Sequence, residues 1–138
     1  MFRSVVVAVL ALFAIQQYSI AEEARIGDIS LHYTVHGKGP TVLLLHGYTT
    51  SGDDSWKAII PGLSQHFRVY VVDLRGHGKS TFTQQECSHA LVAKDIVGLL
   101  DHLKIDSVAA IGASSGANAL LHVATKHPDR VHSMILVA

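Results

Sequence analysis

The 138-residue sequence predicts an α/β fold, a mostly parallel sheet flanked by helices. Three observations carry that prediction. Short continuous apolar runs at residues 41–45, 68–73, 108–111 and 131–138 have the length and β-branched content of strands buried on both faces. Helix-period segments alternate with these runs, which is the order that gives parallel strands joined by crossovers. Three of the runs end in polar, glycine-bearing loops, and the carboxyl edge of an open α/β sheet is where ligands bind.

Taken in order, the chain opens with Arg3 and an almost wholly apolar run at residues 5–15. Ser19-Ile20-Ala21 then places small residues at the two positions a signal peptidase reads. Residues 1–21 are therefore expected to form a secretory signal peptide, with the folded domain at residues 22–138 and a secreted or periplasmic destination. A membrane anchor is the rival reading. The run is short for a span and Gln16-Gln17 interrupts it, so no stable anchor is expected.

Residues 26–35 alternate loosely, with Ile29, Leu31, Tyr33 and Val35 on one side, and can be two strands bent at Gly27-Asp28. His36-Gly37-Lys38-Gly39-Pro40 is a turn into the 41–45 strand. Asp53-Asp54-Ser55 offers caps for a short turn and then a helix to about His66, since Pro61 fits only a first turn. After the 68–73 strand, Leu91, Val92, Ile96, Leu99, Leu100 and Leu103 mark one helical face over residues 90–103, with Ser88 as its cap. A helix at 116–126 follows the 108–111 strand. His127-Pro128-Asp129 ends it before the last strand.

Composition narrows the function. Apolar residues make up 49% and charged ones 16%, a folded-core balance. Lysine plus arginine and aspartate plus glutamate both number 11, without a basic run, so nucleic acid is not an expected partner. Cys87 is the only cysteine, which excludes an intrachain disulfide and a cysteine metal cluster. The ten histidines bring no His-Glu-x-x-His motif or acidic ligand set, so neither a metal nor another cofactor is expected. Gly78-Lys79-Ser80 looks like the end of a phosphate-binding loop. However, Asp73 stands where that motif needs glycine, and no helix pattern follows Ser80.

The chemistry concentrates at Gly112-Ala113-Ser114-Ser115-Gly116, a G-x-S-x-G between a strand and a helix, which is the context of a nucleophile elbow. A strand that turns straight into a helix crowds its backbone, and Gly112 and Gly116 relieve the crowding on either side of Ser114. The helix start behind Ser114 offers free N–H groups to an oxyanion. A plain Gly/Ser turn satisfies the same pentapeptide.

Together, the His46-Gly47-Tyr48 loop, the Asp-Leu-Arg-Gly-His-Gly-Lys-Ser loop at 73–80 and the elbow resemble the α/β-hydrolase family, in its serine-nucleophile branch. The resemblance covers residues 25–138 and implies the N-terminal part of that fold, truncated after the sixth strand. It makes Ser114 the nucleophile that attacks an ester or related acyl bond of a small-molecule substrate. It places the two oxyanion N–H groups on Tyr48 and Ser115, with Gly47 keeping their approach open. Asp73, Arg75, His77 and His46 become structural. An aspartate at the elbow would have implied a dehalogenase or an epoxide hydrolase. The family's catalytic acid and histidine fall after later strands and match no residue here. A catalytically incomplete fragment or a non-catalytic binding protein therefore stands as the alternative. Oligomeric state and substrate identity are not legible.

Overall fold

A computed structural model of the chain describes residues 19–48, 51–83 and 87–138. Strands β1 (Ser19–Ile26) and β2 (Ile29–His36) form an antiparallel hairpin across Gly27-Asp28, where Gly27 takes φ +58°. Strands β3 (Thr41–Leu45), β4 (Arg68–Val72), β5 (Val108–Ala113) and β6 (Val131–Val137) run parallel to one another. The six form one sheet in the order β1-β2-β4-β3-β5-β6, with β2 antiparallel to β4.

Helices cover both faces, because β3 and β4 are apolar at every position from Val42 to Leu45 and from Val69 to Val72. Helices α3 (His89–His102) and α4 (Ser115–Lys126) pack on one face, where Ile96, Leu99, Leu100, Leu120 and Val123 meet Leu43, Leu45, Val72 and Val108. The short helices α1 (Gly52–Trp56) and α2 (Ile60–Leu63) cover the other, where Trp56 and Ile60 meet Val42, Leu44, Val69 and Val71. Alternate side chains of a strand point to opposite faces, so Val42 and Leu43 serve different layers.

Some expectations need correction. The first helix begins at Gly52, and its cap is Ser51, whose Oγ accepts from the Asp54 N–H at 3.3 Å, rather than Asp53, Asp54 or Ser55. Pro61 does sit in the first turn of α2, but α2 ends at Leu63, short of His66. Strand β6 lies at the edge of the described sheet, with Met134, Ile135, Leu136 and Val137 all exposed. The expected signal peptide falls largely on residues 1–18, outside the described residues. Its last three residues open β1, where Ala21 pairs with Thr34.

Candidate active site

Strand order decides where a site can form. From β3 the chain passes to β4 on one side, then returns to place β5 on the other. The loops leaving β3 and β5 thus diverge at the carboxyl edge and leave a crevice between them. Ser114 stands there. Its backbone has φ +47° and ψ −109°, outside the regions open to L residues, which costs on the order of 1–3 kcal/mol. The surroundings hold it in place: the Ser114 N–H donates to Val137 O at 2.8 Å, and the Asn118 N–H donates to Ser114 O at 3.0 Å to start α4. The side chain is exposed, and among the described residues nothing hydrogen-bonds its hydroxyl.

The flanking glycines act as the sequence predicts. A Cβ on Gly112 would lie 2.7 Å from Gly116 O, inside the turn itself. One on Gly116 would strike Leu45 O and lie 2.7 Å from His46 O, at the end of β3. The Gly116 N–H instead donates to His46 O at 3.1 Å, tying α4 to the β3 loop. On that loop a Cβ at Gly47 would come to 3.4 Å from Ser114 Cβ, so the two loops meet at the serine. Ser115 is buried at the first position of α4, and Tyr48 is 65% exposed at the crevice lip. Neither backbone N–H has a hydrogen-bond acceptor among the described residues. The structure thus brings Gly47, Tyr48, Gly112, Ser114, Ser115 and Gly116 together.

The 73–80 loop braces this edge. Asp73 is buried and accepts from the Gly52 N–H at 2.7 Å and the Lys79 N–H at 2.9 Å, while His32 Nδ1 lies 3.1 Å from its Oδ2. Ser80 Oγ donates to Asp73 O and accepts from the His32 N–H. Arg75 is 2% exposed and forks onto Asp95, with Nε and Nη2 each 2.8 Å from a carboxylate oxygen. Asp95 raises the Arg75 pKa further, chiefly through those hydrogen bonds.

His46 is fully buried. Its Nε2 accepts from the Leu74 N–H at 2.9 Å, so the proton sits on Nδ1, which donates to Gly47 O. Burial, the largest cause, holds its pKa below the ordinary value and keeps it neutral. These groups are braces, as the sequence implies for Asp73, Arg75, His77 and His46. The sequence reading missed Asp95, whose signal was a carboxylate on the apolar face of α3 between Val92 and Ile96. Among the described residues no three His, Cys, Asp or Glu side chains gather to hold a metal. No described helix is long and apolar enough to cross a membrane.

Comparison with known proteins agrees with this architecture. The alpha/beta hydrolase fold family matches residues 40–138. A soluble epoxide hydrolase of Corynebacterium sp. (strain C12) is 31% identical over 83% of this chain and 40% of its own. A pimeloyl-(acyl-carrier protein) methyl ester esterase of Aeromonas hydrophila is 35% identical over 74% of this chain and 39% of its own. Among solved structures, a ligand-free epoxide hydrolase superposes with a TM-score of 0.82 at 30% identity, over 86% of this chain and 42% of that one. The chain spans about 40% of the length of these curated relatives.

Proposed function

This chain belongs to the alpha/beta hydrolase fold family, and we propose on that basis that it carries the nucleophile half of a serine hydrolase acting on an ester or related acyl bond. The observation that supports this reading is Ser114 itself: a strained, exposed serine between a strand and a helix, with an N–H on each side of the crevice that has no acceptor among the described residues. Ser114 Oγ attacks the acyl carbon, and the carbonyl π electrons move onto oxygen. The Ser115 and Tyr48 N–H groups receive that charge, and donors of this kind are worth about 3 kcal/mol each. Collapse expels the alcohol and leaves an acyl-serine, which water then hydrolyses.

Chemistry separates the two reactions named among the relatives. A serine that opened an epoxide would form an alkyl ether, which water does not readily cleave. A serine that attacks an ester forms another ester, which water does. Ser114 therefore favours the ester reaction over epoxide opening.

Turnover also needs a base to take the serine proton. The second reading is a chain that keeps the crevice for binding without catalysis. Stopped-flow hydrolysis of an activated short-chain ester by a protein extended to the length of its relatives separates the two, and the absence of any burst there supports the binding reading. A burst abolished by Ser114→Ala, with the fold intact, supports the hydrolase; a burst that persists in the alanine variant places the nucleophile elsewhere.

Export is proposed on the sequence of residues 1–21 alone. Cleavage after Ala21 leaves residues 22–26 paired with 29–33 in the β1–β2 hairpin. Mass spectrometry should find Glu22 first in exported protein; mature protein that retains Met1 would contradict export with cleavage.

A further inference from the structure

We infer that His77 is a positioning residue for the oxyanion loop, acting through the ring of Tyr48; the inference rests on the reading of Ser114 as nucleophile and the Tyr48 N–H as oxyanion donor. Tyr48 follows Gly47, which has no side chain to anchor the loop, and its own side chain is largely exposed. Among the described residues its ring meets one other ring, that of His77, with centroids 5.2 Å apart and planes at 78°. That edge-to-face geometry is the favoured one for such pairs.

His77 is in turn well held. Its Nδ1 donates to Arg75 O at 2.9 Å, and Arg75 is fixed by Asp95. Its ring also packs edge-on against His46, again at 5.2 Å, and His46 is pinned between Leu74 N–H and Gly47 O. The braced 73–80 loop thus reaches across the carboxyl edge through one imidazole and sets where Tyr48 sits. A backbone donor helps an oxyanion only if it is already in place, so fixing Tyr48 bears directly on reactivity.

The test compares His77→Ala with His77→Phe in the 138-residue chain. NMR should show the Tyr48 amide shifted and its heteronuclear NOE lowered in the alanine variant, as the loop loses its aromatic edge contact. Amides of Ile111 and Ala119 should stay put, and phenylalanine, which keeps a ring, should restore Tyr48. An unchanged Tyr48 amide in His77→Ala, or no restoration by phenylalanine, overturns the inference. If the alanine variant unfolds, Tyr48→Ala decides from the other side, because the His77 ring protons should then lose the Tyr48 ring-current shift. In a protein extended to the length of its relatives, the rate at which a fluorophosphonate labels Ser114 should follow the same pattern, falling in His77→Ala and recovering in His77→Phe. An extended protein that never labels at Ser114 refutes the nucleophile reading, while the Tyr48 spectra of the 138-residue chain still decide the role of His77.

Discussion

Replacing Gly116 with alanine should be among the most damaging single-methyl additions in the chain. The new Cβ would meet only backbone, Leu45 O and His46 O, the latter at 2.7 Å. Neither can swing aside as a side chain could, so α4 must move off the end of β3. That shift strains the packing by about 1–3 kcal/mol and loses the Gly116 N–H to His46 O bond, worth about 1 kcal/mol. Alanine's better helix propensity returns up to about 1 kcal/mol. The net loss should be about 1–4 kcal/mol. Gly62 in α2 is the internal control: a Cβ there meets nothing within 4 Å, so Gly62→Ala should stabilise by about 0.5–1 kcal/mol. Urea unfolding followed by the fluorescence of Trp56, the single tryptophan, reads both as midpoint shifts. A Gly116→Ala protein as stable as wild type would mean that the elbow does not press against the β3 loop as described.

Other perturbations probe the braces and the edge. Asp95→Ala leaves the Arg75 charge buried with only the longer contacts to Asp28 and Thr83 among the described residues, each at 3.4 Å, and should cost about 3–5 kcal/mol in the same urea assay. Burial lowers the His46 pKa from 6.5, so the unfolded chain binds the extra proton first as pH falls. The His46 contribution to stability is thus complete above pH 6.5 and is lost as pH falls toward the lower folded-state value. An NMR titration should place the His46 midpoint below 6.5, and a midpoint at or above it would contradict the buried neutral ring. Ile135 is 59% exposed on the edge strand β6, so Ile135→Lys should reduce self-association in light scattering without loss of stability.

The fold was legible where one force dominates. Strands β3 and β4 lie between helices on both sides, and their unbroken apolar runs announced that burial. The strand-to-helix turn at Ser114 was legible because a strand, a serine between two glycines and a helix leave the backbone little choice. The start of α1 was misplaced because Ser51, Asp53, Asp54 and Ser55 can all cap a helix. The contact that selects Ser51 is tertiary, since the Gly52 N–H must reach Asp73. Strand β6 was legible as a strand from its apolar composition, while its exposure follows from its place at the edge of the described sheet. Asp95 and the Tyr48–His77 contact stayed hidden because their partners lie 20 and 29 positions away in sequence.

The central claim is that Ser114 is the nucleophile, and chemical trapping tests it most directly. Protein extended to the length of its relatives, where the family's histidine falls, is treated with a fluorophosphonate, digested, and the adduct located by tandem mass spectrometry. A single phosphonyl adduct on Ser114, absent after heat denaturation and absent in Ser114→Ala, is the predicted result. An adduct on Ser115 or another hydroxyl, or equal labelling of folded and denatured protein, would show that this turn does not activate Ser114.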